Sequence, residues 1–379
     1  MDTGSAENPA ACLHRHLASP EVSVTAYLEG LEMEVAQRVS RPRKLYLDTC
    51  YWVFLRDSAL GRVKKAEHLA MLQRLRELVA TGKAVCPVSD IAFMELTSQT
   101  DDETRHATAK LWDELSLGTA LTSEQERVRR ELECFFTNPG NLNALQALRQ
   151  RMWTQPCYVL GRTTASIDEN RPELDRAFQK ASIDALWPTT FAELAAEPSG
   201  SLGMNADFQK SAEHINNTMR QHQHEIPSFE RAFCAEVSGA VDVYRETLAG
   251  VIYQAWAQTG SSGQTPSEAE LAAVTDKFRL VLVNAFRLRR QLMAQHLPTL
   301  YVYASCHAAV RMDVKRKFTG NFLRDIHHGA AGAAYHDAML TERPLRALLM
   351  AGKVVADKTF DCRIICDEVE ALDYIEAIG

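Results

Sequence analysis

Strand-forming runs in this chain are few and short, and they sit at its two ends with about two hundred residues of helical pattern between them. Lys44–Asp48 and Ala84–Val88 are apolar runs near the start, and Ala338–Thr341 and Cys362–Cys366 are their counterparts near the end. Helical segments separate the members of each pair. Ala66–Ala80 carries Leu69, Leu72, Leu75, Leu78 and Val79 at helical spacing and stops at Thr81-Gly82, and Pro344–Met350 is the connecting helix at the other end. Strands joined through helices pair in parallel, because the crossover returns the chain to the same end of the sheet. The expected fold is therefore α/β, with one mostly parallel sheet assembled from residues 41–119 and 300–379. Residues 120–299 are expected to form an all-α insertion outside that sheet. Residues 1–40 are an N-terminal extension, first disordered and then helical over Glu21–Val39.

Local signals divide the insertion. Ser123–Glu126 and Ser267–Glu270 match the capping box, in which a Ser side chain and a Glu three residues later satisfy each other's backbone donors. Helix breaks are expected at Ile226-Pro227 and near Pro298. Phe233, Val237, Val241, Tyr244, Leu248 and Ile252 form one apolar stripe, the mark of a helix face turned to a core.

Composition excludes more than it assigns. No apolar run is long enough to cross a bilayer, and the first residues are polar and acidic, unlike a secretory leader. A cytoplasmic chain with no membrane partner is expected. The nine cysteines form no C-x-x-C and no paired framework, which fits reduced thiols. A formal net charge of −7 gives no overall attraction to nucleic acid, so such binding falls to local basic groups. Three are visible: Arg127, Arg129 and Arg130; Arg287, Arg289 and Arg290; and Lys315, Arg316 and Lys317. The last ends eight residues before Asp325, which makes it the expected phosphate-contacting group.

Acidic residues punctuate the strand-like runs. Asp48 ends the first, and Ser89 is placed to cap a helix after the second that carries Glu95. Asp325 opens a small-residue helix, Ile326–Ala334, that leads to Asp337, the Ala338–Thr341 strand and Glu342. Open parallel sheets place their sites beyond the carboxyl ends of the strands. Carboxylates gathered there suit a hard divalent cation, Mg²⁺ or Mn²⁺. An ion held this way stabilises charge on phosphate oxygens and acidifies the attacking water, so metal-assisted phosphodiester hydrolysis is the expected chemistry. Thr49, Thr341 and Asn321 stand beside the acids as expected substrate contacts. His327, His328 and His336 form no His-x-x-x-His pair with a partner acid and are read as helix-face or core groups outside the metal set.

This arrangement resembles the PIN-like domain, a metal-dependent nuclease fold. Asp48 matches the family's acid after the first strand, Glu95 its acid on the helix after the second, and Asp325 its later Asp. Thr341, sixteen residues beyond Asp325, matches the start of the T-x-D that ends the next strand in toxin-type members. The family's last acid falls at Arg343, which is basic, so Asp337 or Glu342 is left to complete the cluster. The resemblance implies a three-layer α/β/α fold and a catalytic group of Asp48, Glu95, Asp325 and Asp337. It implies Mg²⁺ or Mn²⁺ held by these acids with Glu342, and Lys315, Arg316 and Lys317 on the substrate side. It further implies an endoribonuclease of the kind used in RNA turnover or toxin–antitoxin systems. RNA is then one partner, and an inhibitor or antitoxin protein or a second copy of the chain is another. The long insertion departs from the compact members.

Two competing readings differ at single positions. An aspartyl-phosphate phosphatase needs a second Asp two residues after the first, where this chain has Cys50. A non-enzymatic PIN-like scaffold, with the insertion as a platform for protein or nucleic acid, is favoured by Arg343.

Overall fold

The structure, a computed structural model, describes residues 9–162, 166–167, 170–196, 204–222, 227–258, 265–313 and 316–379. Six strands occur among them: β1 Arg43–Leu47, β2 Ala84–Val85, β3 Ala120–Leu121, β4 Trp153–Thr154, β5 Ala338–Leu340 and β6 Arg363–Ile365. Four of these form a sheet in the order β2-β1-β5-β6, and every pair in it is parallel. The two sequence ends thus meet in the middle, with Leu45, Tyr46 and Leu47 opposite Ala338, Met339 and Leu340.

Two features depart from the expected pattern. The second strand stops at Val85 because Pro87 offers no N–H; Cys86 and Val88 instead donate to the carbonyls of Leu115 and Thr119 at 2.9 and 3.1 Å. The region expected to be wholly helical contains β3 and β4, an antiparallel ribbon that joins the sheet side through a parallel bridge from Val88 to Ala120. Two-residue strands carry no readable alternation, so neither was visible in the sequence.

Alternation within the strands builds two cores. Leu45, Leu47, Ala84, Ala338, Leu340 and Ile365 face one side, where the helices Thr49–Ala59, Ala66–Ala80, Asp102–Ser116 and Glu368–Glu376 cover them. Tyr46, Val85, Met339 and Ile364 face the other, against the helices Gly320–Gly332 and Pro298–Met312. Phe229–Val243 and Glu268–His296 continue this second core outward, so the insertion is a layer of the same body and not an appendage beside it. Strands buried on both faces read as continuous apolar runs, as these do.

Close packing explains the small-residue helix. A Cβ on Gly332 would lie 2.7 Å from Met339 Sδ and 2.9 Å from Tyr46 Cδ1, so only glycine lets Gly320–Gly332 approach the sheet this closely. The helix breaks at Leu297-Pro298 as expected, and Ser267 and Glu270 form a complete capping box. Ser123 makes no side-chain cap bond, and the Glu126 side chain accepts from Arg129 and Arg130 instead of completing a capping box. Among the described residues no helix is long and apolar enough to cross a membrane.

Candidate functional site

From β1 the chain crosses to β2 on one side, while β5 pairs on the other. The strand order reverses between β1 and β5, and the crevice beyond their carboxyl ends is where such sheets open a site. The ladder runs straight into it: the Asp48 N–H donates to Leu340 O at 2.9 Å. Asp48 caps the Thr49–Ala59 helix, accepting the Thr49 N–H at 2.7 Å on Oδ1 and the Thr341 hydroxyl at 2.5 Å on Oδ2. Its carboxylate is buried and pinned by both hydroxyl-bearing residues of the expected set.

Glu95 reaches the crevice from the Asp90–Thr97 helix. The Thr49 hydroxyl donates to its Oε2, and Arg324 lies 3.5 Å from its Oε1. Between Glu95 and Asp48 stands His328, its Nε2 3.2 Å from Glu95 Oε2 and its Nδ1 3.6 Å from Asp48 Oδ1. Nδ1 is also 2.6 Å from the Tyr46 hydroxyl, which lies 2.9 Å from Ser89 Oγ. Burial alone would strip the proton from this imidazole, but the Asp48 charge and the Glu95 hydrogen bond raise its pKa to about 9. At neutral pH it is therefore an imidazolium clamped between two acids. Burial also opposes ionisation of Glu95, yet His328, Thr49 and Arg324 hold that carboxyl below the usual range.

Asp325 behaves in the opposite way. Burial and the charge of Asp48, with Glu342 and Glu95 adding to them and His328 offsetting, push its carboxyl up to about 7. Four acids from four separate elements therefore share one electrostatic field at this end of the sheet. Among the described residues, no three of them bring donor oxygens within 4.8 Å of one another, since His328 fills the gap between Asp48 and Glu95.

The remaining expected residues divide. Glu342 occupies the N-cap position of the Arg343–Leu349 helix just after β5, without a side-chain cap bond, and is exposed on the site side. Asp337 precedes β5 and lies at the amino end of the sheet, where it accepts the Lys44 N–H at 2.7 Å and pairs with Arg43 at 3.1 Å. It is a structural anchor of the β1–β5 start and is removed from the catalytic and metal set. In parallel strands a residue before the strand and one after it are at opposite ends, and this choice between Asp337 and Glu342 was already available from the spacing.

Asn321 sits in the first turn of the Asp325 helix and accepts from Arg324. Arg316 pairs with Asp313 at 3.2 Å, and with Lys317 it borders a groove that also includes Glu213, Asn216 and Arg220. These two cations precede the helix start at Gly320, in a loop and not on a continuing helix. Lys315 lies outside the described residues. Arg127, Arg129 and Arg130 are consumed internally, by Asp90, by Glu126 and Glu133, and by Glu32 and Glu126. The residue that sequence reasoning left out is His328; its i+3 spacing from Asp325, which shares a helix face, was the available signal.

Comparison with protein-family models, with curated proteins and with solved structures returns no match to this chain.

Proposed function

We propose that this chain is a metal-dependent endoribonuclease of PIN-like type, acting in the cytoplasm on RNA through Asp48, Glu95, Asp325 and Glu342. The observation that carries the reading is that these acids, from sequence-distant elements, lie where a parallel sheet reverses strand order, near enough that Asp48, Glu342 and Glu95 all oppose ionisation of Asp325. Such a concentration of carboxylates is costly unless something positive compensates it, as the raised Asp325 carboxyl illustrates. The donor set is oxygen-only and hard, the kind that suits Mg²⁺ or Mn²⁺, and a bound ion would have to draw together oxygens of Asp48, Glu95, Asp325 and Glu342, of which no three now lie within 4.8 Å of one another. When bound, the ion supplies charge stabilisation at phosphate oxygens and a more acidic water.

The chain's own groups have definable parts. Thr341 and the Thr49 N–H fix the Asp48 carboxylate, and Thr49 fixes Glu95. Protonated His328 is buried with its nitrogens engaged by Tyr46, Asp48 and Glu95, and its part is to neutralise some of the acidic field and hold these two carboxylates in place. An antitoxin-like inhibitor or a second copy would act by covering this crevice.

A second reading rests on His328 itself. A cation already seated between Asp48 and Glu95, together with Arg343 at the family's acidic position, supports a scaffold that binds without cleaving. One experiment separates them. RNA cleavage and the melting temperature are measured with and without Mn²⁺ in the wild-type chain and in Asp48→Asn. The nuclease reading expects cleavage and an Mn²⁺-dependent rise in melting temperature that both vanish in the variant. No cleavage and no rise in the wild-type chain would leave the scaffold.

A further inference from the structure

Far from the acidic crevice, the Pro9–Leu17 helix lies along Pro172–Leu186 and brings three unlike donors together. Cys12 and His16, spaced i and i+4, share one helix face and are both buried. Asp184 meets them from the second helix, its Oδ2 2.8 Å from Cys12 Sγ and 2.7 Å from His16 Nε2. All three donor atoms lie within 4.8 Å of one another, the only such His, Cys, Asp or Glu group among the described residues. We propose that Cys12, His16 and Asp184 are the protein ligands of a structural zinc site that fastens the N-terminal helix to the Pro172–Leu186 helix.

The donor chemistry selects the ion. A thiolate, an imidazole and a carboxylate are a zinc set, whereas Mg²⁺ and Ca²⁺ take oxygen ligands alone. Zinc bonds of roughly 2.0–2.3 Å in a tetrahedron put neighbouring donors about 3.3–3.7 Å apart. The donors now sit at hydrogen-bonding distance from Asp184, so loading requires them to spread by less than ~1 Å. The reaction is a proton exchange: the Cys12 S–H proton leaves to solvent, His16 binds through neutral Nε2, and Asp184 is already anionic. Its carboxyl is held below the usual range by Cys12, Tyr27, His16 and Arg15 against the opposing effect of burial.

A supporting shell is also present. The Tyr27 hydroxyl donates to Asp184 Oδ1 and orients the carboxylate, and the Tyr27 ring stands edge-on to His16 with centroids 4.9 Å apart. A water supplies the fourth position. Arg15 lies 2.7 Å from Asp184 Oδ2 and 3.4 Å from Cys12 Sγ, where it marks the negative potential of the group. Its side chain is 51% exposed and withdraws toward solvent as the ion enters, and the 17% exposure of Asp184 gives the path.

The test uses Co²⁺ as a spectroscopic stand-in for zinc on the full chain. Stoichiometric Co²⁺ should give tetrahedral visible bands and a thiolate-to-cobalt charge-transfer band, both displaced by one equivalent of Zn²⁺ and unaffected by excess Mg²⁺. Cys12→Ser should lose the thiolate band, and Asp48→Asn should retain it. If Cys12→Ser fails to fold, Asp184→Asn, which keeps shape and loses charge, replaces it and should lose zinc after dialysis. Absence of the bands in the wild-type chain, or their survival in both site variants, would overturn the proposal and leave the group as a hydrogen-bonded network.

Discussion

The contact between the small-residue helix and the sheet predicts a contrast between two glycines one turn apart. Gly332→Ala places a Cβ 2.7 Å from Met339 Sδ, 2.9 Å from Tyr46 Cδ1 and 3.0 Å from Tyr46 Cγ. Tyr46 has little room to yield, because its hydroxyl is held by His328 at 2.6 Å and Ser89 at 2.9 Å. Forcing a methyl into a packed core costs about 1–3 kcal/mol, while alanine regains at most about 1 kcal/mol of helix preference over glycine. The net expectation is a loss of about 1–2 kcal/mol. Gly329→Ala meets only the far ends of flexible side chains, Leu349 Cδ2 at 3.1 Å and Leu345 Cδ1 at 3.5 Å, where a shift of a few tenths of an ångström makes room. Its stability should fall within about 0.5 kcal/mol of wild type or above it. Urea unfolding of both variants measures the difference. Because Tyr46 also holds His328, the first variant should lower the His328 pKa, read from its imidazole proton resonances, and the second should not. Equal loss in the two variants, or an undisturbed Gly332→Ala, would refute the argument that glycine is required by the approach to β1 and β5.

Other expectations follow from the charges. A carboxyl raised to about 7 keeps its proton in the folded chain where the unfolded chain has lost it, so Asp325 makes stability fall as pH rises from about 4 to 7. His328, raised to about 9, contributes stability that is complete below about 6.5 and is lost as pH rises through 9. Asp325→Asn should therefore be more stable than wild type at pH 8 in metal-free buffer, and thermal melts across that range decide. Thr341→Val removes the 2.5 Å bond to buried Asp48 and should cost about 1.5–3 kcal/mol in urea unfolding. Asp337→Ala should cost stability by releasing the Lys44 N–H while leaving RNA cleavage per folded molecule unchanged; a large loss of cleavage rate would return it to the site. Replacing Arg316 and Lys317 by Ala should weaken RNA binding irrespective of sequence and flatten its salt dependence, measured across a salt series.

Which of these features could be read in advance depended on how local their signals were. Asp48, Glu95 and Asp325 each adjoin a strong strand, cap or small-residue signal, and their common end follows once the strands are parallel. Glu342 and Asp337 flank a strand of three residues, and only its direction separates a site residue from an anchor. His328 reads in the sequence as a helix-face or core group; its i+3 spacing from Asp325 puts it on that helix face, but its burial between Asp48 and Glu95 comes only with the fold. The same holds for Cys12, His16 and Asp184, since the third member is 168 residues beyond the second. β3 and β4 were invisible for want of length, whereas the Arg129 pairs with Glu126 and Glu133 were legible as i, i+3 and i, i+4 spacings.

The pairing of β1 with β5 sets a schedule for the nascent chain. Leu45 and Ala338 are partners in the ladder at a separation of 293 residues, by subtraction of their positions. At about 5–20 residues per second, translation takes roughly 15–60 s to deliver the second strand after the first. For that interval β1 can pair with β2 on one side only, and its other edge displays unpaired backbone beside apolar Leu45 and Leu47. The crevice cannot exist before Thr341 and Glu342 emerge, so a growing chain carries Asp48 and Glu95 without the rest of their site. A prematurely terminated product would lack half of the proposed site and be prone to self-association through that edge.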